Sequence, residues 1–324
     1  MHDCDTAAIC QYLPAQANKE SAAVTSPSTN TSSSSRVIDV INFLAAHPTE
    51  SFTLTELAER LSLSHGSAHR VLSSLTQARY LSRHPKHKTY SLGLALVAIG
   101  QAALGRHHAV DVARHEMARL AEQLGVQCIA SVIVDDEMLF VAKEGVSQTH
   151  DAISRIGDRR PFVPPMALGH MAWAQPSALK DYLALIPKGI SAEVYRYIMQ
   201  SIEVIRERGY SMASVGPGLT ALQRVSEDHV NNRRSETYWS HMQALINQLS
   251  TNEIQLLSLD DISSERIGYI AAPVFSPAGD VALEISITGI PAHASTEQIA
   301  QYAERLRAAS AFVTNETHGR APKF

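Results

Sequence analysis

Val37, Val40, Ile41 and Leu44 recur at i, i+3, i+4 and i+7, which lays an apolar stripe along one face of a first helix. The pattern starts at Arg36 and stops before Pro48. Thr53 and Glu56 then have the spacing of a capping box, where each side chain satisfies the other's free backbone N–H. Leu54, Leu57, Ala58 and Leu61 carry the same stripe along a second helix. After a short turn Ser64 is placed to cap a third, with Ala68, Val71, Leu72 and Leu75 as its buried face. Three short helices with so tight a turn between the last two form a helix-turn-helix. Residues 80–93 continue with two strand-like runs around a basic, proline-containing turn, the hairpin wing of a winged reader.

A linking helix is predicted over 94–104, and a further one over 110–124, ended by Gly125. From Val126 the period shortens. Strands are predicted at Gln127–Val134 and 138–144 around an Asp-Asp-Glu turn, and at Ile267–Phe275 and 280–289 around Ser-Pro-Ala-Gly. Helical stretches occupy 165–208, and a final helix 295–313. Hairpins with helices between them imply an α+β fold with an antiparallel sheet. The expected plan is a disordered Ser/Thr-rich tail at 1–35, a reader at 36–93, a linker at 94–107, a second domain at 108–315 and a short tail at 316–324.

Composition narrows the function. A chain of 324 residues, 45% hydrophobic and 19% charged, has room for two self-sufficient cores. Three scattered cysteines speak against a disulfide framework or a paired-cysteine zinc site. No apolar run approaches a membrane span and no signal core opens the chain, so a cytoplasmic protein is expected. The net charge is −4, yet residues 36–104 hold seven basic and four acidic side chains, a local +3. No Gly-rich phosphate loop, nucleophile elbow or paired-carboxylate signature is present, so neither catalysis nor a cofactor is expected. His108, Asp111 and His115 share one helical face, but the outer two are about 10 Å apart along the axis, too far for one ion. A metal-binding or enzymatic second domain is thus a remote alternative.

A major groove admits one helix, and a helix-turn-helix points the start of its last helix at base edges. That selects Ser64, His65, Ser67, His69, Arg70 and Ser73 as DNA-facing, with Arg83, Lys86 and Lys88 of the wing on phosphate or in the minor groove. The partner is a double-stranded DNA operator.

Residues 63–72, Leu-Ser-His-Gly-Ser-Ala-His-Arg-Val-Leu, resemble the recognition helix of the IclR family of bacterial transcriptional regulators. His69 and Arg70 match its His-Arg pair and Ser67 its Thr or Ser, while His65 and Gly66 stand where Lys-Ser is common. Tyr-Ser-Leu-Gly at 90–93 matches the end of the family wing. Further likenesses lie at 154–161, at Ala-Leu-Gly-His 167–170 (where the last position is usually Lys), at Arg-Gly-Tyr 208–210, and at 270–275 and 285–289. The resemblance covers about 36–210 and 253–313. It implies a GAF-like effector-binding domain, a homodimer or homotetramer, and control of a catabolic operon by a small organic metabolite. By motif position the pocket is expected to be lined by Ala167, Leu168, Ile267, Tyr269, Ser286 and Thr288, with Asp260 as a pocket acid. A second reading keeps the DNA reader and gives the C-terminal domain an assembly role only.

Tyr269 stands where the family commonly has Cys, giving a larger wall and an added hydroxyl. Residues 211–252 look like an insertion, read as a surface excursion, with a lid or oligomer contact as the alternative. Alternate strand residues share a face, so Glu284 is expected beside Ser286 and Thr288. If it faces the pocket, the ligand offers a hydrogen-bond donor or is uncharged. The alternative places Glu284 in solvent or on an arginine such as Arg159.

Overall fold

The structure is a computed structural model that describes residues 33–146, 155–186, 192–227, 229–232, 235–259 and 266–322. Its reader holds α1 (Ser33–Ala46), α2 (Leu54–Arg60), α3 (His65–Gln77) and a hairpin of β1 (Leu81–Arg83) and β2 (Tyr90–Leu92). The first helix begins three residues before the apolar stripe, inside the stretch expected to be a tail. The capping box at Thr53 is complete: its hydroxyl accepts the Glu56 N–H at 3.3 Å, and the Glu56 carboxylate accepts the Thr53 N–H at 2.7 Å. Ser64 caps α3 through the Ser67 N–H. Val40, Leu44, Phe52, Leu57 and Leu72 form the small core. The wing folds back so closely under α3 that a Cβ on Gly93 would lie 2.2 Å from the Arg79 carbonyl oxygen, so no larger residue fits there.

Next comes α4 (Ala95–Leu104), which buries none of its residues and carries no charge. Helix α5 (His108–Leu124) ends on Gly125 at φ 65°, a left-handed C-cap that suits glycine.

The second domain is built on one antiparallel sheet of six strands. They are β3 (Gln127–Val134), β4 (Glu137–Gly145), β5 (Arg159–Pro161), β6 (Ser211–Ser214), β7 (Ile267–Phe275) and β8 (Val281–Thr288). Their order across the sheet is β5-β4-β3-β8-β7-β6. Period-two alternation gives the sheet two different faces. Cys128, Ala130, Ile270, Ala272, Ile285 and Ile287 pack under α5 and the last helix. The opposite set, including Ser131, Ala271, Glu284 and Ser286, faces a cavity.

Over that second face lie α6 (Leu168–Met171), α7 (Pro176–Ala184) and α8 (Ala192–Arg208). They are followed by α9 (Pro217–Glu227), α10 (His229–Asn232), α11 (Glu236–Ile246) and α12 (Thr251–Ile254), and the chain closes with α13 (Thr296–Glu316). Two corrections arise in this region. Residues 211–214 are the edge strand β6, paired to β7, so the insertion starts after them. Nor is the insertion a surface excursion: Leu222, Met242 and Ile246 are fully buried and pack with Leu168, Ile198 and Ile202 into a second core. The polar stretch at 231–236 hid a helical stripe, since Tyr238, Met242, Leu245 and Ile246 recur at i, i+4, i+7 and i+8.

Candidate functional site

Two places carry candidate chemistry, the outer face of α3 with the wing and the cavity under the sheet. On α3, Ser64, His65, His69, Arg70 and Ser73 are exposed. Ser67 differs from expectation. It is 5% exposed, and its hydroxyl accepts a hydrogen bond from Arg36 at 3.0 Å, so it faces α1 and ties two helices together. Arg83 is exposed and lies 5.6 Å above the Tyr90 ring, while Lys86 and Lys88 stand at the exposed hairpin tip. The tip is shaped by a residue that sequence reasoning missed. One ring nitrogen of His84 accepts the backbone N–H groups of Lys86 and His87, at 3.3 and 3.1 Å.

The cavity has a volume of about 980 Å³. Ala167, Leu168, Ile267, Tyr269, Glu284, Ser286 and Thr288, taken from three separate segments of sequence, all line it. Asp260 lies outside the described residues. Insertion residues Leu219, Leu222 and Leu249 form a further wall. Toward the reader, Ala45 and Ala46 of α1 and Leu96 of α4 line its outer part.

Glu284 is 5% exposed and lies on the cavity floor, opposite Ser131 in the β3–β8 register. Its carboxylate is 3.5 Å from the Ser211 hydroxyl, which donates, and 3.5 Å from His170 Nε2. The same His170 nitrogen is 3.1 Å from the Ser131 hydroxyl. Glu284 crowds the backbone of α6, because a Cβ on Gly169 would come within 1.7 Å of its Oε1. Any side chain at 169 would push the Glu284 carboxylate from its place. Arg159 does not reach Glu284. Its guanidinium donates to Glu137 at 3.1 Å.

Burial dominates the electrostatics. It pushes the Glu284 carboxyl up to about 7, against a small opposing contribution from the Ser211 hydrogen bond. It drives His170 down to about 4 and raises the Tyr182 and Tyr269 hydroxyls well above the phenol range. The His170–Glu284 contact is therefore a meeting of two groups that prefer to be neutral, not an ion pair. Among the described residues no group of three or more His, Cys, Asp or Glu could hold a metal ion, and no helix is long and apolar enough to cross a membrane.

Two acids tie this region together, Glu253 between two of its helices and Glu137 between sheet and helix. Glu253 accepts the Ser250 N–H at 2.9 Å, closing the α12 capping box, and with its other oxygen accepts the Leu219 N–H of α9 at 2.8 Å. Glu137, the first residue of β4, binds Arg159 and lies 3.7 Å from Nε2 of His229 on α10, whose Nδ1 is 3.0 Å from the Tyr238 hydroxyl. Ser131 and Ser211 were missed as cavity residues, and His170 as the buried neighbour of Glu284. The strand alternation that places Ser286 also places Ser131, but a lone serine in an apolar strand gives little reason to be singled out.

Comparison with known proteins agrees with this architecture. The family profile for the IclR helix-turn-helix domain matches residues 33–85. That for the bacterial transcriptional regulator IclR C-terminal domain matches residues 101–215, and the two together span just over half of the chain. The HTH-type transcriptional regulator XynR of Escherichia coli (strain K12) is 25% identical over 187 residues, 55% of this chain and 73% of its own. KipR of Bacillus subtilis (strain 168) is 23% identical over 261 residues, 80% of this chain and 87% of its own. An IclR transcriptional regulator from Alicyclobacillus acidocaldarius has a TM-score of 0.63 at 18% identity, covering 88% of this chain and 98% of that one. An IclR homologue from Microbacterium hydrocarbonoxydans, complexed with 4-hydroxybenzoate, has a TM-score of 0.61 at 18% identity, covering 88% and 99%. At that identity the structural likeness speaks for the fold. With both family domains matched in chain order on a winged reader and an antiparallel second domain, the chain belongs to the IclR family of bacterial transcriptional regulators, DNA-binding proteins and not enzymes.

Proposed function

We propose that this regulator responds to a small organic metabolite held in the sheet cavity, and that occupancy changes how the winged reader engages the operator of a catabolic operon. One observation carries the reading. Seven residues expected from motif position and strand alternation to line a pocket do line a single cavity, of a size suited to a metabolite. The Microbacterium hydrocarbonoxydans relative with its bound 4-hydroxybenzoate supports the same use of the fold. The cavity's outer part reaches α1 and α4, a route by which ligand contacts bear on the reader.

In this reading Arg70, His69, His65, Ser64 and Ser73 face the major groove, and Arg83, Lys86 and Lys88 neutralise phosphates. The protein acts as a homodimer or homotetramer. An apolar helix that buries nothing in its own chain calls for a cover, and α4 exposes Leu94, Val97 and Ile99. A second copy supplies that cover.

The test is thermal unfolding against a catabolite panel, with operator affinity measured for every compound that binds. A ligand at about a hundred times its Kd raises stability by about 2.7 kcal/mol. If no compound shifts the protein while DNA binding is intact, the second domain serves assembly only.

A further inference from the structure

We infer that the cavity receives its ligand with a hydrogen-bond donor leading, an ammonium or a hydroxyl set against Glu284 and Thr288, and that it disfavours a molecule that leads with a carboxylate. This rests on the effector reading above and names the chemistry of its ligand.

An ionised carboxylate offers about four lone-pair positions. Glu284 uses them poorly. Its two contacts, to Ser211 and His170, are both 3.5 Å long, at the outer limit of a hydrogen bond. No lysine or arginine pairs with it among the described residues. Arg159 is engaged with Glu137, and Arg208 of α8 donates to the Tyr210 and Leu256 carbonyls, each at 2.7 Å. Two turns of the strand pattern away, Thr288 is 8% exposed, and its hydroxyl has no hydrogen-bond partner among the described residues although it borders the cavity. The hydroxyls of Tyr269 and Ser286 border the same space. Beside Glu284 this floor presents hydroxyls, and no lysine or arginine forms an ion pair with that carboxyl among the described residues.

A donor group placed here satisfies what the fold leaves unsatisfied, and an ammonium does so with a charge-assisted bond. A carboxylate brought beside Glu284 forces that carboxyl to stay protonated and repels it wherever pH ionises it, whereas an ammonium favours its ionised form. Arg155, Arg224 and Arg266 also line the cavity, and none of them is paired with Glu284. The titratable groups around Glu284 agree: His170 on α6, Tyr182 on α7 and Tyr269 on β7 are all held neutral by burial, and none offers it a counter-charge.

Two matched probe series test this by calorimetry: phenethylamine, phenethyl alcohol and phenylacetate, then hexylamine, hexanol and hexanoate. Each is measured on the full-length protein, on Glu284→Gln and on Thr288→Val. The expected result is that amine and alcohol bind the parent at least about tenfold more tightly than the carboxylate of the same skeleton. Glu284→Gln should remove most of the amine preference, and Thr288→Val should weaken the alcohol. Carboxylates that bind as well as their amines, with no response to Glu284→Gln, overturn the donor-first inference and leave the effector reading standing. If neither series binds the folded parent, the donor-first inference is overturned, and the catabolite panel decides the effector reading separately.

Discussion

Glu284 of β8 and His170 of α6 meet at 3.5 Å on the cavity floor, each buried and each favoured in its neutral form. The acid is held near 7 and the imidazole near 4, so between those values the pair carries no charge. The fold has thus placed a titratable group where proteins normally avoid one, at a cost set by pH.

That cost gives the first prediction. A carboxyl whose pKa rises on folding contributes stability that is full below its unfolded value of 4.5 and is lost as pH rises through about 7. Glu284→Gln keeps the shape and removes the titration. The variant should match the parent near pH 5 and exceed it near pH 8 by about 2 to 3 kcal/mol. Thermal unfolding of both proteins at the two pH values measures it. His170 is common to both and cancels. A difference that is the same at both pH values would show that titration of this carboxyl is not its source.

Ser67 and Arg70 lie three residues apart on α3, one buried against α1 and the other exposed, which separates folding from reading. Arg70→Ala should weaken operator binding by about tenfold or more, the loss of one bidentate contact, with the melting temperature unchanged. Ser67→Ala should instead destabilise the reader by about 1 kcal/mol, because it breaks the Arg36 hydrogen bond. Lys86→Ala should lower the salt slope of DNA binding by about 0.9. Fluorescence anisotropy on an operator selected from random DNA, run across a salt series, reads the Arg70 and Lys86 variants, and thermal unfolding reads Ser67→Ala. An Arg70→Ala protein with parental affinity would remove α3 as the reading helix.

The insertion invites a third. Glu253 holds the start of α9 and closes the α12 capping box, and a Cβ on Gly216 would lie 2.4 Å from its Oε1. Glu253→Ala leaves backbone N–H groups of two helix ends unsatisfied and should cost about 2 kcal/mol. Because α9 walls the cavity, any ligand that binds the parent should also bind more weakly. Glu253→Gln should recover part of both losses, since it keeps an acceptor for Leu219. Hydrogen exchange confined to residues 217–254 should accelerate in the alanine variant. Unchanged exchange there would mean that Glu253 does not pin the insertion.

How far all this is legible in the sequence depends on the range of the interaction. The capping box at Thr53 and the Ser64 cap are local, and both were readable from spacing. Strands β3 and β7 were readable to the residue, because short turns bound each hairpin. Glu284, Ser286 and Thr288 fell together on the cavity side, as period-two alternation requires. What failed was long-range. Ser67 faces inward because of Arg36, 31 residues earlier, and its helical angle alone put it near the exposed edge. Arg159 is claimed by Glu137, which no spacing rule reveals. The insertion's helices bury their stripes against α8, so its polar connections misrepresented a segment whose core was elsewhere.

Helix α4 carries the last prediction. It carries no charge and one polar side chain, Gln101, and Leu94 at its N-cap and Val97 are 87% and 57% exposed. A helix of that composition is normally covered, and nothing in the described part of the chain covers this side of it. With a second copy as the cover, Val97→Asp puts a charge into an apolar contact, where it must be desolvated without a partner. Association should weaken by about tenfold or more, visible as a shift toward the monomer in sedimentation velocity. Operator affinity should fall with it, because two linked readers hold DNA far better than one, while Arg70 and the wing are untouched. Val97→Thr, similar in size and uncharged, should keep most of the assembly. A parental sedimentation profile for Val97→Asp would place the interface elsewhere on the chain.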